Sequence, residues 1–141
     1  MKRTAVLLFV VFILAACGGK KEVKQASPES VASAEAFALA ETIREAFVKN
    51  DRVALQKNST ADGYRDITAS KKGFDQIELA FTPRWVEISG SQLNLNVSWK
   101  SAWTNAGRKV EDRGMAVFVM EGKPLKVSKI LRANPFIYPE Q

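Results

Sequence analysis

The side chains that most enzymes use for acid–base, nucleophilic and metal chemistry are scarce in this chain of 141 residues. It has no histidine, the commonest general base and the commonest metal ligand. Cysteine occurs once, at Cys17, and the aspartates at positions 62, 66 and 75 do not have the spacing of a metal-binding motif. No glycine-rich phosphate loop is present. The sequence therefore predicts a protein without a bound metal or cofactor.

Cys17 ends a stretch with the parts of an export signal. Two basic residues precede an apolar run, Ala5–Leu14, and two alanines stand before the cysteine. The run is too short to span a bilayer, which takes about 20 apolar residues, and polar Gly18–Lys21 follow it. Leu14–Cys17 resembles the lipobox of bacterial lipoproteins. The resemblance implies that residues 1–16 are removed as a signal peptide and that Cys17 carries lipid chains such as palmitate.

A lipidated Cys17 places the protein in the cell envelope, anchored to a membrane. Residues 17–27, with two glycines and three lysines, are typical of a flexible tether. The lipoprotein resemblance also implies sorting by the next residue, and Gly18, in place of an aspartate, favours the periplasmic face of the outer membrane in a Gram-negative cell. A single cysteine excludes an intramolecular disulfide, and an envelope address argues against nucleic acid as a partner.

The exported part has the length of one domain, predicted over residues 28–141. Its formal charge is +4, because two of the six net positive charges leave with the signal peptide (6 − 2 = 4). This excess favours either an acidic partner, such as anionic lipid head groups, or simply a solvated surface that charge keeps soluble.

Two helices are predicted at the start of this domain. Ser27 is a suitable N-cap, with Pro28 in the first turn, and apolar residues at positions 37, 40, 43 and 47 then recur at helical spacing. Asn50–Asp51 ends this helix, and Asp51 can cap a short second one.

A third helix is predicted after Ser70, because Phe74, Ile77 and Phe81 would share one face of it. Lys71 and its neighbour at position 72 would then lie unfavourably at the positive end of the helix dipole. A bound anion would relieve this conflict, and two tolerated surface lysines are the alternative.

From Arg84 onward the apolar period changes to two, which predicts antiparallel strands. Gly114 is predicted to form a bulge in the third of them, and the residues around it are apolar on both faces, so that a lid, a partner subunit or a ligand must cover the second face. The fold class is α+β, with three N-terminal helices packed on a curved antiparallel sheet. The predicted strands are Trp85–Ile88, Leu93–Trp103, Val110–Met120 and Leu125–Leu131.

This order of elements resembles the nuclear transport factor 2-like superfamily over about residues 31–136. The resemblance rests on Ala46–Asp51 at the helix break and on the hairpin from Gly114 to Ile130. Members are half-open cones in which a curved sheet wraps the long helix and leaves a pocket, and many pair through the outer face of the sheet. The resemblance therefore implies a pocket between helices and sheet, and a homodimer.

The superfamily includes ketosteroid isomerases and related dehydratases. The isomerase sets an aspartate base against an oxyanion hole made by a tyrosine and a protonated aspartate. The resemblance puts Asp66 near the base position, whereas Ile43 and Ala116 fall where the oxyanion hole would be. Electrostatic stabilisation is usually the largest catalytic contribution, so a base alone gains little. Tyr64 can replace the missing donor only if the fold brings its hydroxyl to the same place.

Apolar and aromatic residues on the predicted inner faces are the candidates for the pocket lining. The two tryptophans of the second long strand can form a pocket floor, and packing within the core is the alternative for them. The candidates are Phe37, Ile43, Phe47, Tyr64, Trp99, Trp103 and Phe118.

The sequence thus predicts a membrane-anchored envelope lipoprotein that binds a partner protein or a small apolar ligand and catalyses nothing. One alternative is an isomerase-like or dehydratase-like enzyme with Asp66 as general base. Another is a structural subunit of an envelope complex.

Overall fold

The structure, a computed structural model, describes residues 25–140. The signal peptide 1–16, Cys17 and most of the tether 17–27 lie outside the described residues, and what the sequence predicts for them stays a prediction. In the described part no helix is both long enough and apolar enough to cross a membrane.

The first two helices begin and end at the residues that the sequence indicated. Helix α1 spans Pro28–Val48, and the Ser27 hydroxyl accepts a hydrogen bond from the Ser30 amide. Asn50 then adopts a left-handed conformation (φ 55°) that ends the helix, as asparagine tolerates. The Asp51 carboxylate caps α2, Arg52–Lys57, by accepting from the Ala54 amide at 3.0 Å.

The predicted third helix after Ser70 is wrong. Helix α3 is instead Ala61–Ile67, capped by the Thr60 hydroxyl, and the segment predicted as helix enters strand β1, Gln76–Ser89. Ile77 and Phe81 are four residues apart, a spacing that one face of a helix and one face of a strand share. The arrangement of the sheet decides between them, because β2 pairs with β1 along its whole length.

The sheet contains four antiparallel strands in the order β1-β2-β3-β4. Short turns join them, and the turn between β2 and β3 has two central residues with positive φ, Ala106 (49°) and Gly107 (77°), as a tight type I′ hairpin requires. The predicted α+β class, with three helices on a curved antiparallel sheet, is therefore confirmed. The remaining strands are β2 Gln92–Asn105, β3 Arg108–Glu121 and β4 Lys126–Arg132.

The predicted bulge at Gly114 is wrong. Gly114 pairs with Trp99 in regular register, and the Trp99 indole lies so close that a Cβ built on Gly114 would be 2.8 Å from ring atom Cζ2. The glycine is needed for this close packing. The register shifts occur elsewhere, at Pro83–Trp85 and at Val119–Met120.

Helix α1 packs on the inner face of the sheet, and aromatic rings fill the space between them. Phe136, from the segment after β4, is fully buried and lies against Phe47, with ring centroids 4.8 Å apart. Edge-to-face contacts join the remaining rings into one cluster. The cluster consists of Phe47, Phe74, Phe81, Trp103, Phe118, Phe136 and Tyr138.

Both faces of β3 are buried where the sequence indicated it. Ala116 and Phe118 face the core, whereas Val117 and Val119, on the outer face, are 8% and 7% exposed. Met115 beside them is half-buried.

The helices α2 and α3 cover the free edge of β4. The Thr60 amide donates to the Val127 carbonyl at 2.9 Å, and the Val127 amide donates to the Asn58 carbonyl at 3.0 Å. Gly63 of α3 lies directly against the Val127 carbonyl, at a distance that leaves no room for a Cβ. The edge is therefore paired, and α3 is fixed on the sheet.

Candidate ligand site at the mouth of the cone

Asp66, the predicted base candidate, is half-buried and bonded to main chain. Its Oδ2 accepts a hydrogen bond from the Ile130 amide at 2.9 Å, and its main-chain carbonyl accepts one from the Asn134 side chain at 2.7 Å. The carboxylate thus satisfies an edge amide of β4 that would otherwise lack a partner.

The other positions of the isomerase comparison are apolar. Ile43 and Ala116, which fall at the oxyanion-hole positions, are 0% and 1% exposed in the core. Tyr64 is half-buried and lines a cavity that Asp66 does not line. The structure therefore does not bring Tyr64 and Asp66 to one cavity.

Most of the candidate pocket residues are packed in the core. Ile43, Trp103 and Phe118 are fully buried, and Phe37 is half-buried against the same cluster. Trp99 is 4% exposed, and its indole N–H donates to the Ala133 carbonyl at 3.0 Å. The space that could have been a deep pocket is filled by side chains of the protein itself.

Trp99 also lines a depression at the sheet, beside Gly114. Phe47 and Tyr64 together line a separate open cavity. It has a volume of about 280 Å³ and lies between the end of α1, the helices α2 and α3, and the segment that leads into β1. The rings of Phe47 and Phe74 stack with centroids 5.7 Å apart and form its floor together with Leu55. We call this the mouth cavity.

Polar groups surround the rim of the mouth cavity. Thr68 and Ser70 contribute hydroxyls, and Arg52 and Lys72 contribute positive charges. The Lys72 ammonium lies 5.7 Å from the centroid of the Tyr138 ring, within the range of a cation–π contact. An apolar floor with a few polar rim groups is the usual composition of a small-molecule site.

The sequence missed Phe74 as a site residue because it assigned it to a helix, and it weighed Lys72 only as an anion contact at the start of that helix. Their segment is extended, and the Asn105 side chain donates to the Gly73 carbonyl at 3.0 Å while the Asp75 carboxylate accepts from the Ala106 amide at 2.8 Å. These bonds to the β2–β3 turn hold the segment at the mouth. Asp75 and Asn105 are the residues from which this position could have been predicted, but each bonds to a group about 30 residues away in the sequence.

A solved structure has the same arrangement of helices and sheet. It is a nuclear transport factor 2 (NTF2-like) superfamily protein from Salmonella enterica subsp. enterica serovar Typhimurium str. LT2, with a TM-score of 0.64 over 75% of this chain and 92% of that chain. The fold is NTF2-like. The sequence identity is 13%, so the likeness is one of fold. No protein-family model and no curated protein matches the sequence.

The mouth cavity lies among the three helices and the segment before β1, and its lining contains no residue of the four strands. Within residues 25–140, no group of three or more acidic, histidine or cysteine side chains is arranged to hold a metal ion. The polar groups in the lining of the mouth cavity are the two cations, the side-chain amide of Asn50 and the hydroxyls of Tyr64, Thr68 and Ser70.

The outer face of the NTF2-like sheet carries a larger but shallower depression, with a volume of about 660 Å³. Lys100 and Arg113 are directly opposite each other in the register of β2 and β3. Glu78, Ala102 and Glu111 form the next row of the same face, two residues along each strand. Rows of opposite charge are therefore adjacent on this surface. We call it the outer-face groove.

Proposed function

We propose that the chain is a membrane-anchored envelope lipoprotein whose NTF2-like domain binds a small ligand with an apolar body at the mouth cavity and catalyses no reaction. One observation carries the proposal: an open cavity of about 280 Å³ has two stacked aromatic rings as its floor, in a domain whose interior is otherwise filled. Burying an apolar group against such rings contributes about 25 cal/mol per Å² of area removed from water.

The non-catalytic part of the proposal is supported by the position of Asp66. A general base must reach the proton that it abstracts, within about 3 Å or through one water. The Asp66 carboxylate is bonded to the Ile130 amide and lies outside the lining of the mouth cavity. The positions of an oxyanion hole hold Ile43 and Ala116, which have no polar side-chain atom.

Ligand binding is tested by native mass spectrometry and extraction of the lipidated protein purified from its own envelope. We expect a small molecule to copurify, and Phe74→Ala to reduce its occupancy at least tenfold, because the floor of the cavity loses one of its two rings. Trp85→Ala is the control, since Trp85 is 47% exposed on the outer face. Equal loss in both variants, or no bound molecule in the unchanged protein, would refute the proposal.

Anchoring is tested separately through Cys17. Cells fed a radiolabelled fatty acid should label the unchanged protein, and Cys17→Ala should abolish the label and block signal cleavage. A Cys17→Ala protein that is processed to the normal mass and still sediments with membranes would contradict the anchor.

We also propose that the outer-face groove binds a second copy of the chain. Like charges that face each other across two strands destabilise a sheet. In residues 25–140 no ion pair joins Lys100 or Arg113 to a carboxylate. A twofold axis through the groove would set the row of Glu78 and Glu111 of one copy against the basic row of the other.

Sedimentation equilibrium of the purified protein tests the interface. We expect a dimer that Lys100→Glu with Arg113→Glu converts to monomer, while Lys57→Glu with Lys71→Glu, an equal charge change on the helical side, leaves it intact. A monomeric unchanged protein would contradict the interface without affecting the ligand proposal.

A further inference from the structure

We infer that the ligand of the mouth cavity is an organic anion: a small apolar body that carries a carboxylate, sulfonate or phosphate group. The inference rests on the proposed function, because it concerns the same cavity, and it adds the charge of the ligand. Three features support it. The charges at the rim are positive, the acidic residues nearby in the sequence are bonded to other groups, and the rim hydroxyls of Thr68 and Ser70 already donate hydrogen bonds within the protein.

The charged residues that line the mouth cavity are both positive. Arg52, at the start of α2, and Lys72, in the segment before β1, are exposed at the rim, and no acidic residue is part of the lining. Within residues 25–140, neither side chain forms an ion pair with a carboxylate. Two cations that face one cavity without a counter-charge favour an anion there.

The acids nearest to this rim in the sequence have other partners. The Asp51 carboxylate accepts from the Ala54 amide, Asp62 pairs with Arg65, and Asp66 accepts from the Ile130 amide. Asp75 accepts from the Ala106 amide in the β2–β3 turn. Each of these carboxylates is bonded to another group and none of them lines the mouth cavity, so the charges in its lining are those of Arg52 and Lys72.

The hydroxyls of the rim are used within the protein. Thr68 donates to the Tyr64 carbonyl at 2.8 Å, and Ser70 donates to the Lys72 carbonyl at 3.2 Å. The Ser70 oxygen also accepts from the Tyr138 amide at 3.1 Å. Because these hydrogen atoms are already committed, the polar recognition of a ligand falls to the two cations, Arg52 and Lys72, together with the Asn50 side chain and the Tyr64 hydroxyl.

The floor and the volume define the rest of the ligand. Phe47, Leu55 and Phe74 offer an apolar surface, and about 280 Å³ is at the lower limit of the range for drug-sized ligands, roughly 300–1,000 Å³. The body is therefore no larger than one or two fused rings or a short alkyl chain. Its anionic group would lie at the rim, between the side chains of Arg52 and Lys72.

Two probes that differ in charge alone test this inference: 2-naphthoate and its neutral isostere 2-naphthamide. Calorimetric titration uses the detergent-solubilised full protein in the same micelles for every variant, and each affinity is corrected for that probe's own partition into protein-free micelles. We expect naphthoate to bind about tenfold more tightly at low salt, a difference of about 1.4 kcal/mol that two exposed ion pairs can supply together. The preference should shrink in 0.5 M salt, because the added ions screen the rim charges.

Arg52→Gln with Lys72→Gln should abolish the preference and change naphthamide affinity less than twofold. Lys57→Gln with Lys71→Gln removes the same charge from exposed positions outside the cavity and should leave the preference intact. Equal affinity of the unchanged protein for both probes, or a preference that survives in the first double variant, overturns the inference and leaves the proposed function standing. Failure of both probes to bind overturns both.

Discussion

The Asp66 carboxylate accepts a hydrogen bond from the Ile130 amide at 2.9 Å, although the two residues are 64 positions apart. Ile130 belongs to the edge strand β4, whose amide would otherwise lack a partner there. The contact fastens α3 to the sheet, and the neighbouring bond from Asn134 to the Asp66 carbonyl fastens the C-terminal segment as well.

This contact predicts the stability of Asp66 variants. Asp66→Ala should lower the free energy of unfolding by about 1–3 kcal/mol, because a half-buried amide loses its acceptor. Asp66→Asn keeps an acceptor oxygen and should cost less than about 1 kcal/mol. Urea unfolding followed by tryptophan fluorescence gives both values, and Asp62→Ala, which breaks only the exposed pair with Arg65, is the control. An Asp66→Ala protein as stable as the control would contradict a structural role.

Gly63 predicts a larger effect. A Cβ at this position would overlap the Val127 carbonyl, so Gly63→Ala must push α3 away from β4. We expect a loss of at least about 3 kcal/mol, the upper end of the usual cost of overpacking, measured as a lower midpoint of thermal unfolding. Gly73→Ala is the matched control, because nothing lies within 4 Å of the added methyl group and the change should stay within about 0.5 kcal/mol. Similar midpoints for the two variants would show that α3 and β4 are not in this contact.

The β2–β3 turn predicts a stabilising substitution. Ala106 has φ 49°, a conformation that costs a residue with a Cβ roughly 1–2 kcal/mol and that asparagine tolerates best after glycine. Ala106→Asn followed by Gly107 forms the preferred type I′ pair and should raise stability by about 0.5–1 kcal/mol. Ala106→Val should lower it, since a β-branched side chain fits this region worst. Chemical denaturation with equal m-values for all three proteins would establish the order, and a valine variant at least as stable as the asparagine one would contradict it.

The segment after β4 closes the aromatic cluster. Phe136 is fully buried against Phe47, Phe81 and Phe118, so Phe136→Ala should cost about 3–5 kcal/mol. Ile137, the next residue, is 41% exposed, and Ile137→Ala should cost less than about 1 kcal/mol. Near-ultraviolet circular dichroism should lose its aromatic signal in the first variant and keep it in the second. Intact signals in both would mean that the C-terminal segment is not part of the core.

The fold could be predicted where local chemistry determines it. Ser27 and Asp51 cap helices through side chains three residues from the amides that they bond, and this signal is present in the sequence itself. The alternation along β2 likewise reflects one buried and one more polar face. These elements could be predicted without knowing which distant residues they contact.

The errors concern positions where a distant residue decides. The sequence predicted no helix over Ala61–Ile67, and the reason for its glycine, Gly63, is the Val127 carbonyl, which lies in β4. Gly114 resembled a bulge, and the reason for it is the Trp99 ring on the neighbouring strand. In both cases the absence of a Cβ on the glycine makes room for a group that is distant in the sequence. A pattern of residues along the chain does not indicate such a contact.

The candidate site was predicted least well for the same reason. The sequence indicated that aromatic residues belong to the inner face, but it could not say how much space they leave. Phe136, outside every predicted strand, occupies the centre of the cone. The open part of the site is consequently lined by a segment before β1 whose position depends on the β2–β3 turn.

The filled interior has a consequence for the timing of binding. A ligand bound as proposed, on the rings of Phe47 and Phe74 without being enclosed, keeps one side in water. It can therefore bind and dissociate while every helix and strand stays in place. Its residence time is then set by the strength of surface contact alone, with no gate to open. Under the proposed function, we expect the domain to exchange its ligand rapidly and not to store it.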